Sequence, residues 1–123
     1  MTGEDKTKAK TLQLTAMERV ILMEVIPSAG RIADAIFYAR MRSKLDLNQE
    51  EMDEVGMVRV QITPNQFNIQ CKDHETRFPI ELTEEQMDRL IDLARGYANW
   101  PSNDTTVELI GQLGDVSGRS LTG

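Results

Sequence analysis

Cys71 and His74 stand three residues apart with Asp73 and Glu75 beside them, and together they bring a thiol, an imidazole and carboxylates into one short segment. These are zinc-ligand types, but two N/S donors on one hairpin loop fall short of the four that close a tetrahedral shell. A strand-end thiol facing the core and a solvated loop account for them without a metal. His74 is the only histidine. A nucleophile relying on it needs a Ser or Cys delivered beside it, and no elbow motif such as G-x-S-x-G occurs. Glu50, Glu51, Asp53 and Glu54 crowd four carboxylates into five positions. They could attract Mg²⁺ or Ca²⁺, yet the D-x-D-x-D-G pattern and a second cluster at matching spacing are both missing, so a solvated acidic helix is expected. The glycines at 111, 114, 118 and 123 do not make a phosphate loop, because no G-x-x-x-x-G-K-[ST] accompanies them. The expectation is a protein with no catalytic constellation, no cofactor and no metal.

The elements that carry these residues announce their own beginnings. Leu14-Thr15-x-x-Glu18, Leu47-Asn48-x-x-Glu51 and Leu82-Thr83-x-x-Gln86 repeat one device. A Thr or Asn side chain accepts from the free N–H groups of a first helical turn, and the Glu or Gln three residues on reaches back to the cap. The leucine before the cap can staple onto the fourth helical residue, Met52 after Leu47 and Met87 after Leu82. After Thr15, the run from Met17 to Ile26 is apolar on nearly all sides, which predicts a central helix. Pro27 to Gly30 stops it. A second helix from Arg31 to about Lys44 places Ala33, Phe37, Met41 and Leu45 on one face with Ile32 and Ile36 alongside, leaving Arg31, Asp34, Tyr38 and Arg42 on the other. A short acidic third helix from Asn48 ends at Gly56, suited to a left-handed C′ position.

The period then changes. Val58, Val60 and Ile62, then Phe67, Ile69 and Cys71, alternate with polar residues around Pro64-Asn65, which predicts a hairpin with one wet face. Phe78, Ile80 and Leu82 form a third strand, confined to an edge by Pro79. A fourth helix from Thr83 sets Met87, Leu90, Ile91, Ala94 and Tyr97 at helical spacing to cover the sheet, and a last one is expected near Thr105 to Leu113. The expected fold class is α+β: three N-terminal helices, a three-stranded antiparallel meander, and one or two C-terminal helices packed on it. Three helices followed by a hairpin also resemble a winged helix. One domain spans 13–113, between flexible tails at 1–12 and 114–123.

With 40% hydrophobic and 28% charged residues the composition is that of a globular protein. No apolar run approaches the ~20 residues that cross a bilayer, so no membrane association is expected. The N-terminus lacks the apolar core of a secretory signal, and a single cysteine suits the reducing cytoplasm. The net charge of -6 disfavours nucleic acid, whose phosphates are held mainly by Lys and Arg. The acidic Asn48–Val55 helix, standing where a winged helix places its recognition helix, adds to that objection.

The run Leu14-Thr15-x-x-Glu18-Arg19-x-x-Leu22, followed by Ile26-Pro27-x-x-Gly30, Met41-Arg42 and an acidic capped turn, resembles a family of small proteins of tailed phages and prophages with the pattern LTxxERxxLL and a break LPxxG. Helix two here is richer in Ala and Phe-Tyr than the Lys and Arg of that family, and the stretch from Gln61 to His74 is longer. The resemblance implies a phage context, hence host cytoplasm, and no particular chemistry. What remains is surface. Arg31, Tyr38, Arg40 and Arg42 mix aromatic and guanidinium groups of the kind enriched at hot spots, and Glu50, Glu51 and Glu54 supply an acidic neighbour. These seven are the expected partner-binding residues of a non-enzymatic accessory protein that binds a host or phage protein as inhibitor, adaptor or regulator. A winged-helix-like DNA-binding regulator is the alternative. Met23, Met41, Met52, Met57 and Met87 are expected either to fill core gaps or to line an adaptable groove.

Overall fold

A computed structural model describes residues 10–121. In chain order it contains β1 (Lys10–Thr15), α1 (Ala16–Val25), α2 (Ile32–Leu45), α3 (Gln49–Val55), β2 (Val58–Thr63), β3 (Gln66–Gln70), β4 (Arg77–Leu82), α4 (Glu84–Gly96) and α5 (Asp104–Ser117). The class is α+β, with five helices and two antiparallel two-stranded sheets, β1-β4 and β2-β3.

All three capping boxes form, on Thr15, Asn48 and Thr83, each with its reciprocal side-chain bond to the N-cap backbone. Gly56 closes α3 at φ 65°, the left-handed position its type suits. The fourth start lies elsewhere: Asn103, not Thr105, caps α5, its side chain accepting from the Thr106 N–H, so the helix begins at Asp104. Asn is at least as good a cap as Thr, and here it reaches the N3 amide.

The three-stranded meander is replaced by a different topology. β4 leaves the hairpin and pairs with β1, in the register Leu12↔Ile80 and Leu14↔Phe78. Residues 10–12, expected in the N-terminal tail, are therefore strand, and α5 runs past Leu113 into the segment expected to be the C-terminal tail. The rest of the N-terminal tail, 1–9, and residues 122–123 lie outside the described residues. β1 was hidden because Lys10-Thr-Leu-Gln-Leu-Thr15 offers only two apolar residues at strand period. Its partner is remote in sequence and invisible to local pattern.

The β1–β4 ribbon has one apolar face, on which Leu12, Leu14, Ile80 and Leu82 are buried. Covering it are Ile21, Leu22 and Val25 of α1, Phe37, Met41 and Leu45 of α2, Met87, Leu90, Ile91 and Ala94 of α4, and Leu109 and Leu113 of α5. A second, smaller cluster joins Ala16, Val55 and Met57, with Met17, Val20, Leu47, Met52 and Ile69 packed on it. Helix α1 lies between the two clusters and contributes to both, which is why its sequence is apolar nearly all round. The outer edge of β1 is closed by a side-chain amide: Gln112 Oε1 accepts from the Gln13 N–H at 2.5 Å, and its Nε2 donates to the Gln13 carbonyl at 2.7 Å.

Candidate protein-binding surfaces

Beneath the junction of α1, α2 and α3 sits a buried arginine. Arg19 is 2% exposed. Its guanidinium donates to the Leu45 carbonyl at 2.8 Å, the Asp46 carbonyl at 2.7 Å and Glu51 Oε2 at 2.9 Å, and lies 5.5 Å from the Phe78 ring centroid. The two carbonyls are at the C-terminal end of α2, where the helix dipole favours a cation. Burial raises the Glu51 carboxyl pKa, but the Arg19 hydrogen bond and charge and the Asn48 N–H outweigh it, so the group titrates below the usual carboxylate range. Glu18, also buried, accepts from the Thr15 N–H and from Arg77, both at 2.9 Å. In the third box, Gln86 Oε1 accepts from the Thr83 N–H at 3.0 Å and from Lys44 Nζ at 2.9 Å. Each box residue at N3 thus tethers a second element, as well as closing its own helix.

Val20, Met23, Leu47, Met52, Met57 and Val58 line a cleft of about 490 Å³ whose wall is as polar as it is apolar, with Glu24, Arg42, Asp46 and Arg59 also on it. Three methionines therefore serve the groove, while Met41 and Met87 are buried in the main core. All five nonetheless fill core gaps: Met57 is buried in the smaller cluster, Met52 packs on it and Met23 packs on the main one.

The seven expected partner residues divide. Arg42 is half-buried, its guanidinium donating at 2.5 Å to the carbonyl of Ile26, the C-cap of α1. Tyr38 packs on the main core, edge-on to Phe37 at 6.0 Å. Glu51 is engaged by Arg19. Arg31 and Arg40 on the α2 side, and Glu50 and Glu54 on α3, are exposed.

The surface of α2 that sequence reasoning missed is apolar. Ile32 is 82% and Ile36 48% exposed, one turn apart, and Arg40 continues the same row at the next turn. Placing the isoleucines alongside Phe37 and Met41 was an error of face assignment: α2 carries apolar residues on both sides, so periodicity alone does not say which side is inward. The signal available was the Ile32-x-x-x-Ile36-x-x-x-Arg40 spacing itself.

The hairpin departs from expectation in a similar way. The register pairs Val58 with Gln70 and Val60 with Asn68, whereas Ile69 pairs with Arg59, and the alignment slips between Gln61 and Thr63. In an antiparallel pair directly opposed residues share a face, so Val58 and Val60 stand on the side away from Ile69, and β2 is exposed throughout. There is no single wet face.

Cys71 Sγ lies 3.1 Å from the Asp73 carbonyl and 3.6 Å from that of Val55. Burial raises its pKa, only partly opposed by the Asp73 hydrogen bond. Asp73 is committed to its own turn, accepting from the Glu75 and Thr76 N–H groups and from the Thr76 hydroxyl, which lowers its pKa. Among the described residues no three His, Cys, Asp or Glu side chains converge as a metal site, and no helix is long and apolar enough to cross a membrane. Trp100 donates to the Ala94 carbonyl at 3.2 Å and stands perpendicular to Tyr97.

The arrangement is that of an α+β protein whose unusual surfaces are an outward isoleucine row, a methionine-lined cleft and a bare hairpin. The chain matches no known family, no curated protein and no solved structure.

Proposed function

We propose that this is a non-enzymatic accessory protein of phage type that binds a host or phage protein and acts as an inhibitor, adaptor or regulator by occluding its partner's surface. The observation that carries the reading is the exposed Ile32–Ile36 row on α2, continued by Arg40 and preceded by Arg31. Isoleucines one turn apart on a regular helix are the anchors used when a helix face enters a partner's groove, and flanking arginines set register and encounter rate. Glu50 and Glu54 on α3 supply a neighbouring acidic patch.

The test is retention of partners from host lysate by the tagged full chain, with and without nuclease, beside the variant I32D/I36D. The expected result is one stoichiometric protein that survives nuclease and is lost from the variant. Retention that disappears with nuclease and with added salt would return the winged-helix DNA reading. A partner held equally well by the variant would remove α2 from the interface.

A further inference from the structure

The outer side of α2 carries two neighbouring rows of different relief. Ile32, Ile36 and Arg40 follow one another at four-residue intervals, and beside them run Ala35, Ala39 and Ser43 at the same interval. Side chains spaced four apart form the ridges of a helix surface, and the grooves between ridges take those of a second helix. A bulky row next to a small one is thus a ridge with a shallow groove beside it, a relief that fits a helix better than a strand or a loop. Ala39 and Ser43 are exposed and Ala35 is half-buried. The one polar side chain of the groove is already satisfied, since the Ser43 hydroxyl donates to the Ala39 carbonyl at 3.1 Å. Covering the groove therefore strands no donor.

Charge decides what kind of helix. From its N-cap at Arg31 to Leu45 this element sets Arg31, Arg40, Arg42 and Lys44 against Asp34 alone, in a chain whose net charge is -6. Asp34 is engaged by Arg89, Arg42 by the Ile26 carbonyl, and Lys44 by Gln86 and the Glu81 carbonyl. Arg31 and Arg40, at the two ends of the isoleucine row, are exposed and form no ion pair among the described residues. They are separated by about 13 Å along the helix axis. We propose that the segment of the partner protein that lies on α2 is an acidic amphipathic helix. Its large apolar residues, one turn apart, enter the groove of Ala35, Ala39 and Ser43, and carboxylates towards its two ends meet Arg31 and Arg40. This rests on the α2 reading above and names the chemistry of its occupant. A second copy does not supply that chemistry: a two-fold pairing of α2 with itself, centred on Ile36, sets Arg40 of one copy beside Ile32 and Arg31 of the other, and the guanidiniums gain no counter-charge. A single helix laid on α2 belongs with interfaces below about 1,200 Å², the range of transient complexes.

Fluorescence anisotropy tests the proposal, with the full chain titrated into a labelled synthetic helix of about 20 residues that carries Leu at i and i+4 along one face and Glu on its flanks. Wild type should bind this helix, and should bind the same helix with Lys in place of Glu at least about tenfold more weakly. R31E/R40E should invert that preference, and I32D/I36D should abolish binding of both. A39L, which fills the groove with a larger side chain, should weaken binding of the Glu helix about tenfold. Every altered position is exposed, so circular dichroism should be unchanged. Equal binding of the Glu and Lys helices, or binding of neither, overturns the proposal, and indifference to A39L overturns the groove. Self-association of wild type in light scattering that I32D/I36D removes would make a second copy the occupant and overturns it as well. In the lysate experiment, a protein lost from I32D/I36D but kept by R31E/R40E sinks the acidic helix alone, whereas one kept by I32D/I36D sinks the α2 reading itself.

Discussion

Replacing Arg19 with methionine should be among the most damaging single changes the chain can suffer. The substitution keeps most of the side-chain volume and removes the guanidinium, which leaves the carbonyls of Leu45 and Asp46 and the carboxylate of Glu51 without their shared donor. Breaking a buried charge pair by deleting one partner typically costs 3–5 kcal/mol. The Glu51 side chain is 25% exposed, so its abandoned charge recovers some hydration. The stranded carbonyls lie at a helix end, where water can reach part of their capacity. The expected loss is therefore at the lower end, about 3 kcal/mol. For a domain of this size with a urea slope of roughly 2 kcal/mol per M, the midpoint should fall by about 1.5 M at unchanged slope. Arg19→Lys should recover only part of this, because one ammonium cannot span three acceptors in a planar fork. A midpoint shift under about 0.5 M for Arg19→Met at unchanged slope would refute the claim that this residue ties α1 to α2 and α3.

Three further outcomes are expected. The folded-state pKa values of Glu51 and Asp73 are depressed, so their contribution to stability is present above the ordinary carboxylate range and is lost as the pH falls through their folded values; urea midpoints between pH 6 and pH 3 should drop less steeply in Arg19→Met than in wild type. Gly56→Ala should cost about 1–2 kcal/mol in denaturant unfolding, since φ is 65° there and a methyl group would meet the Lys72 side chain at 3.1 Å. Gln112→Ala should cost about 1–2 kcal/mol by removing two hydrogen bonds from β1, and should selectively speed hydrogen exchange at the Gln13 amide.

The parts of this fold legible in the sequence are those decided within one helical turn. The boxes at Thr15, Asn48 and Thr83 and the glycine after α3 involve residues three or four apart, and their chemistry does not depend on the rest of the chain. The β1–β4 pairing joins segments on either side of α1, α2, α3 and the hairpin, and nothing in Leu12 or Leu14 names Ile80 as a partner. The candidate surface was legible by composition and misassigned by direction. Arg42 and Tyr38 have the chemistry of a hot spot but are drawn inward, one by the Ile26 carbonyl and the other by Phe37. Ile32 and Ile36 have the chemistry of a core but face water. An amphipathic pattern fixes a stripe; which stripe is buried depends on the neighbours it meets.

The double use of the capping boxes bears on how this protein comes apart. Helix ends ordinarily fray, exchanging their amide protons through small openings that leave the rest of the molecule intact. Here the glutamate or glutamine that closes the first turn of α1, α3 or α4 also holds Arg77, Arg19 or Lys44 from another element. Opening one of these first turns therefore releases a tertiary tie at the same moment. The amides that accept protection from these boxes, Glu18, Glu51 and Gln86, are thereby coupled to undocking of whole elements. Their exchange should approach the rate set by global unfolding, so that the positions weakest in an isolated helix report the cooperativity of the whole domain.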